Sequence, residues 1–193
     1  MTCVKKISAV LLCAVLLCAL PMASCKNEEG QAGGGLDGAY TAKEVADAIM
    51  AAYGPEDLPE AGFEHFYSGA DEDSDYYIEP KYAGLIIDGG YSPLEEYEYF
   101  SDCAFYVPVG RHMFEVDVLK IKEDEQSNIG ILKDVLERRL KTKTNSDVLT
   151  YTPEDAPILE NAKIITSGSF VILLATTDNS KAEKAMDEMG AKK

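Results

Sequence analysis

The run Asp71-Glu72-Asp73-Ser74-Asp75 places acids at alternate positions, as a calcium-binding loop of the EF-hand type does at its start. Such a loop also needs glycine at its sixth position and a bidentate glutamate at its twelfth. Those two positions hold Tyr76 and Tyr82. The spacing therefore excludes an EF-hand, and it leaves two interpretations: a weak calcium contact or a solvated acidic loop.

Nucleophilic or metal chemistry would have to come from very few residues. His65 and His112 are the two histidines, and neither lies in a spacing that builds a zinc site. Cys103 lies on an alternating apolar segment, where a cysteine mostly behaves as a small buried hydrophobe. No GxSxG, SxxK, Walker or dinucleotide glycine motif occurs, so the sequence predicts no catalytic site, no metal site and no cofactor.

Of the other four cysteines, Cys3, Cys13 and Cys18 lie within the first 24 residues, and the fourth, Cys25, stands in the context of an exported protein. Lys5 and Lys6 precede an apolar run from residue 7 to residue 20, and the small residues Ala23 and Ser24 stand directly before the cysteine. This order of positive, apolar and small-residue regions is typical of a secretory signal. With cysteine at the +1 position it resembles a bacterial lipoprotein signal, which implies that Cys25 is acylated and becomes the mature N-terminus.

The apolar run is too short for a retained membrane helix, which needs about 20 apolar residues. Residues 1–24 are therefore predicted to be a signal peptide, and residues 25–39, which include Gly33-Gly34-Gly35, a lipidated flexible linker. Removal of the signal and acylation of Cys25 leave Cys103 as the one free thiol, so no intramolecular disulfide is expected. A single domain over residues 40–190 must then be stabilised by a packed core.

Charge limits the partners of that domain. The chain carries a net charge of −16, and loss of the two lysines of the signal makes it −18. Such a charge disfavours binding to nucleic acid and to anionic lipid headgroups. Residues 55–102 alone hold fourteen acids against one base, Lys81, which is a local charge of −13.

The same acidic segment is rich in tyrosine. Tyrosine rings give binding surfaces a large contact area at a low entropic cost, although they also fill cores. We expect an interaction surface here, if the protein has one, for a basic protein partner or a weakly bound calcium ion. Its candidate residues are Asp71, Asp73, Asp75, Tyr76, Tyr77, Tyr97 and Tyr99.

The rest of the domain has clearer periodicity. Thr41 to Glu44 form a capping box for a first helix, whereas residues 83–88 favour a strand or a helical turn and residues 93–100 a short helix. Alternation over residues 103–109 and 114–121 predicts a hairpin in which Glu115 and Asp117 face solvent, followed by a helix with Leu132 and Leu136 on its apolar face.

A second hairpin and helix follow in the same order. Residues 163–166 and 170–176 predict two strands, the second apolar on both faces, after a short helix that starts at Thr152-Pro153. Ser180 to Glu183 form a capping box for a last helix that ends at Gly190. The sequence therefore predicts an α+β domain: an antiparallel sheet built from two hairpin–helix units with helices packed on it, plus an N-terminal helix and an irregular acidic segment.

Several of these stretches resemble a known family. The run from Phe114 to Lys122, the helix that ends at Arg138-Arg139, and the run from Tyr151 to Glu154 resemble an uncharacterised lipoprotein family, a domain of unknown function, of clostridial-type Gram-positive bacteria. The resemblance implies a signal-anchored extracytoplasmic domain and no particular activity.

Together these observations predict a lipoprotein on the outer face of the cytoplasmic membrane, most simply a non-catalytic binding or accessory module of the cell envelope. The alternative is a cell-envelope hydrolase that uses Cys103 or an acidic pair within residues 55–102. Exposure of Cys103 in a cleft near His65 or His112 would favour the alternative.

Overall fold

A five-stranded antiparallel sheet forms the centre of the molecule, in the strand order β1-β2-β3-β5-β4. The computed structural model describes residues 35–36 and 38–191. The strands are β1 Phe63–Tyr67, β2 Phe100–Pro108, β3 Glu115–Ile121, β4 Lys163–Ser167 and β5 Phe170–Ala175. The helices are α1 Ala42–Met50, α2 Pro80–Asp88, α3 Ile129–Thr144, α4 Val148–Tyr151, α5 Ala156–Glu160 and α6 Asn179–Gly190. Short 3₁₀ turns span Pro55–Asp57, Glu95–Tyr99, Glu123–Asn128 and Pro153–Asp155.

Helices cover both faces of the sheet, and the predicted α+β architecture is confirmed. The two predicted hairpins, β2–β3 and β4–β5, join through an antiparallel pairing of β3 with β5. α1 and α6 pack on the face that carries Val116 and Val118, and α2 and α3 pack on the face that carries Leu119 and Ile121. Every residue of β5 is buried, as its run of apolar side chains on both faces predicts.

Local sequence signals explain most helix boundaries. The Thr41 side chain accepts a hydrogen bond from the Glu44 N–H and the Glu44 carboxylate accepts one from the Thr41 N–H, so the predicted capping box of α1 is confirmed. The capping box predicted at Ser180 is wrong. Asp178, two residues before Ser180, caps α6 instead. Its side chain accepts a hydrogen bond from the Ser180 N–H, which is one of the free N–H groups in the first turn of the helix.

The acidic segment is more regular than its sequence suggests. Residues 83–88 belong to helix α2, which begins at Pro80, and the short helix expected near residues 93–100 is the 3₁₀ turn Glu95–Tyr99. The edge strand β1 was not expected, because Glu64 and His65 interrupt its apolar pattern. β1 pairs with β2 from Phe63 opposite Pro108 to Tyr67 opposite Ala104.

Glu115 and Asp117 do not face solvent, and the prediction that they do is wrong. Both side chains are 0% exposed, because α3 covers the face of β3 on which they lie. The Arg139 guanidinium donates to both Glu115 carboxylate oxygens at 2.6 and 2.7 Å, and the Lys143 ammonium lies 2.5 Å from Oε2. These four side chains are the buried charge cluster of the molecule.

The chain enters the domain along one end of the sheet, over residues 35–36 and 38–42, which we call the N-terminal strap. Leu36, within the predicted linker, is only 4% exposed, and its N–H donates to Ser167 Oγ at 3.0 Å. Lys120 Nζ donates to the carbonyls of Gly38 and Tyr40, and the Asp102 carboxylate accepts from the Ala42 N–H at 2.6 Å. The strap thus crosses from the β4–β5 turn to β2.

Within residues 35–36 and 38–191, no helix has both the length and the apolar character that a bilayer crossing needs. Cys25, the signal peptide and most of the predicted linker lie outside the described residues.

Candidate interaction surface

The loop that follows β1 brings five of the seven candidate surface residues to one place. Asp71, Asp73 and Asp75 are exposed, Tyr76 is 47% exposed and Tyr77 is half-buried. The loop then turns back onto β1, where the Tyr67 N–H donates to the Tyr76 carbonyl at 2.9 Å and Tyr67 pairs with Tyr77 in a single parallel bridge.

The other two candidates, Tyr97 and Tyr99, lie elsewhere. Both are half-buried against the core beneath α2 and α3. The Tyr97 hydroxyl donates to the Ile78 carbonyl at 3.1 Å, and its ring packs 5.3 Å from that of Phe100. Their rings stabilise the fold, so the surface does not include them.

An aromatic stack that the sequence analysis missed stands beside the loop. The His65 ring lies nearly parallel to three tyrosine rings, at 4.4 Å from Tyr76, 5.5 Å from Tyr106 and 6.3 Å from Tyr67. Lys43 Nζ lies 5.2 Å from the centroid of the Tyr67 ring. We call the rings of His65, Tyr67, Tyr76 and Tyr106 the aromatic stack. The sequence signal that could have revealed it is the alternation of rings along β1, at residues 63, 65 and 67.

Helix α1 holds one end of the stack in place. Asp47 accepts a hydrogen bond from the Tyr106 hydroxyl and forms an ion pair with Lys43 at 2.5 Å. Because Lys43 and Asp47 lie one helical turn apart, both reach the same side of α1. The stack is thus fixed by β1, β2, α1 and the acidic loop together, and its Tyr76 end is open to solvent.

Two adjoining concavities lie along β1. The first, of about 340 Å³, is lined by Phe63, Glu64, His65, Phe66, Asp75 and Tyr76. The second, of about 560 Å³, shares Phe66 and Asp75 with the first and is otherwise lined mainly by acids and tyrosines: Glu72, Asp73, Ser74, Tyr77, Glu79 and Tyr82. Their carboxylates make both concavities electronegative.

The outer edge of β1 opens into the first concavity. Ser68 N–H donates to the Cys103 carbonyl, and Val109 N–H donates to the Gly62 carbonyl. Along β1 the even-numbered residues therefore form the backbone hydrogen bonds with β2. The N–H and C=O groups of Phe63, His65 and Tyr67 therefore point away from β2. Tyr67 is bonded to Tyr76 and Ala70, whereas no described residue bonds the backbone groups of Phe63 or His65.

Metal binding finds no support on this surface. Among the residues that the structure describes, no three His, Cys, Asp or Glu side chains are grouped so as to hold a metal ion. The alternate acids of the loop do not line one concavity together: Asp73 and Asp75 line the second concavity, whereas Asp71 lines neither.

The cysteine required by the hydrolase alternative is inaccessible. Cys103 is 0% exposed on the sheet face beneath α2 and α3, and burial raises the pKa of its thiol to about 12. His65 lies on the opposite face of the sheet, since its partner Tyr106 and Cys103 alternate along β2. His112 faces Asp155, with Nδ1 3.4 Å from the carboxylate. The geometry therefore brings no histidine to this thiol as a base.

Within the acidic segment, Asp102 is committed to the fold. Asp102 accepts hydrogen bonds from the Ala42 N–H and from Ser68 Oγ, at 2.6 and 2.5 Å. It therefore ties the strap and the end of β1 to β2, and both of its oxygens are occupied.

The buried charge cluster is also closed to ligands. Burial opposes ionisation of Glu115, but Lys143 and Arg139 outweigh it and lower its pKa to about 2. Burial, and then the neighbouring Glu115 charge, raise the pKa of Asp117. As a carboxylate Asp117 would have no hydrogen-bond partner; protonated, it becomes a donor to Glu115.

Comparison of the chain with protein-family models, with curated proteins and with solved structures finds no match. The resemblance to a lipoprotein family therefore stays a prediction drawn from its residues.

Proposed function

We propose that the protein is a lipoprotein anchored through Cys25 on the outer face of the cytoplasmic membrane, and that it acts there as a non-catalytic binding module for a basic protein partner. The observation that carries the binding proposal is the pair of electronegative concavities along β1, which adjoin an open aromatic stack. Charge draws a cationic partner to such a site, and the rings add the desolvated contact that charge alone rarely supplies.

The binding proposal is tested with the octapeptide Lys-Thr-Lys-Val-Lys-Thr-Lys-Val as probe and the full chain as receptor, by fluorescence anisotropy. Raising NaCl from about 50 mM to about 500 mM should weaken binding by roughly tenfold or more, because the contacts are screened. Simultaneous Asp71→Asn, Asp73→Asn and Asp75→Asn should weaken binding at low salt by a similar factor, on the order of tenfold.

A matched control separates local from overall charge. Asp134, Glu154 and Asp187 are exposed acids outside the segment, and Asp134→Asn, Glu154→Gln and Asp187→Asn together change the net charge by the same amount. This control should leave affinity within about twofold of wild type. Equal losses in the two triple variants, or no binding of the probe at all, would overturn the proposed surface.

The anchoring proposal has its own test. Cells expressing the chain should incorporate labelled palmitate into a processed, membrane-bound product, and Cys25→Ser should abolish both the label and the processing. A labelled, processed and membrane-bound Cys25→Ser product would contradict it.

A further inference from the structure

We propose that the outer edge of β1 receives an extended basic segment of the partner as an added strand. This inference rests on the proposed binding function and specifies its mode. An unpaired strand edge offers N–H and C=O groups that form main-chain hydrogen bonds with an extended peptide, which gives affinity without a particular sequence.

The available length of edge is set by the acidic loop. Tyr76 and Tyr77 close the Tyr67 end of β1, where the loop already pairs with the strand. Phe63 and His65 remain, each with an outward N–H and C=O, so an added strand can form up to four main-chain hydrogen bonds. Both residues line the first concavity, so the edge lies in a recess and not on a flat surface.

The two sides of this edge select different side chains. Successive side chains of an added strand point to opposite faces of the sheet. On one face they would meet Glu64 and the acidic lining that continues to Asp73, and on the other the exposed end of the stack at His65 and Tyr76. A segment in which lysine or arginine alternates with an apolar or planar residue satisfies both faces.

Charge also decides between a foreign segment and a second copy of this chain. Two copies paired edge to edge through β1 would bring together two segments that each carry a local charge of −13. Such like-charge contact is unfavourable, whereas a basic strand neutralises it. The occupant is therefore a cationic stretch of a different protein.

The decisive variants differ in the backbone N–H of residue 65. His65→Ala removes the ring, and His65→Pro removes the ring and also the outward N–H; that N–H takes no part in the β1–β2 ladder, so proline is tolerated there. Thr166→Pro is the control on the opposite edge, at an exposed position of β4 that points away from β5 in the two-residue hairpin.

The octapeptide probe is titrated against each variant, with circular dichroism to verify folding. We expect His65→Pro to bind about tenfold more weakly than His65→Ala, the effect of one lost hydrogen bond, and Thr166→Pro to bind like wild type. A second probe gives a test that does not depend on the folding of any variant, because it is applied to the wild-type protein. The same peptide, N-methylated at alternate residues, keeps its charge but lacks the backbone N–H donors along one of its edges. Its affinity for wild type should fall by tenfold or more.

The outcomes separate the two proposals. Equal binding of His65→Pro and His65→Ala, together with full affinity of the N-methylated peptide, would overturn strand addition but leave a charge-driven binding module intact. Loss of salt dependence would overturn the binding function itself. A chain that sediments as a dimer, and becomes monomeric on His65→Pro, would show that a second copy occupies the edge and would overturn the choice of a foreign partner.

Discussion

At the scale of single residues, the buried charge cluster makes stability depend on pH. Asp117 has a raised pKa in the folded protein, so its contribution to stability is fully present below its ordinary pKa, near 4, and is lost as the pH rises toward the folded value. Glu115 acts in the opposite direction: its pKa of about 2 means that its contribution is present above its ordinary value and is lost as the pH falls toward 2.

Asp117→Asn should therefore stabilise the protein at neutral and higher pH. The amide keeps the volume and donates to Glu115 without a proton that can be lost. Its advantage over wild type should grow by up to about 1.4 kcal/mol per pH unit above pH 4, until the pH reaches the folded pKa of Asp117. Urea denaturation of both proteins at pH 5 and pH 8 measures this; an advantage that does not change between the two would mean that Asp117 is ionised in the folded state.

The same cluster shows where sequence reasoning failed. Alternation along β3 identified the two faces correctly, but acids on one face were assigned to solvent because the helix that covers them could not be placed. The missed signal lies on α3, where Arg139 and Lys143 continue the apolar face formed by Leu132 and Leu136. Two cations on a buried stripe require buried acids opposite them.

At the scale of elements, α2 is held by a close backbone contact that its sequence only hints at. Gly84 lies in the middle of the helix, and a Cβ there would stand 2.0 Å from the Ser92 carbonyl oxygen. The Leu94 N–H donates to the Pro80 carbonyl at 2.8 Å in the same region, so the loop after α2 packs directly on the helix. Residue 84 therefore has to be glycine because there is no room for a Cβ atom, and not because its backbone needs a conformation that only glycine adopts.

Gly84→Ala should lower the free energy of unfolding by about 2 kcal/mol or more, although alanine is the better helix former. Gly130, in the first turn of α3, is the matched control because a Cβ there meets no atom within 4 Å. Gly130→Ala should be neutral or stabilising by up to about 1 kcal/mol. Thermal or urea denaturation compares the two; equal effects would show that the loop can move away from α2.

The strands and helices after residue 102 could be predicted from the sequence better than the structure of the acidic segment. The β2–β3 hairpin and the apolar face of α3 follow from periodicity over five or more residues, whereas β5 follows from its continuous apolar run. β1 was not predicted because Glu64 and His65 interrupt its apolar pattern, although its rings alternate at residues 63, 65 and 67, and its role as an edge depends on the pairing with β2. The His65 stack likewise exists only once Tyr106 and Tyr76 meet it in space.

At the scale of the whole molecule, net charge opposes compactness. A chain with a net charge of −16 repels itself more strongly when folded than when expanded. Adding NaCl to about 0.3 M at pH 7 should therefore raise Tm by a few degrees, on the order of 1 kcal/mol in stability. The increase should vanish at the isoelectric pH, and an equal increase at both pH values would point to a general salt effect instead.

The N-terminal strap determines how far the proposed receptor could reach. Leu36 is held at the β4–β5 turn, and eleven Cα–Cα steps, 36 minus 25, lead from it back to Cys25, so a lipid proposed on Cys25 would lie at most about 40 Å from the sheet. The outer edge of β1 lies a further four strand spacings away, about 19 Å. The outer edge of β1 would therefore reach at most roughly 60 Å from the lipid. A partner held in the same bilayer within that distance would be present at an effective concentration in the millimolar range. Even a weak strand contact would be largely formed at that concentration, whereas the same contact with a more dilute partner in free solution would be formed only in part.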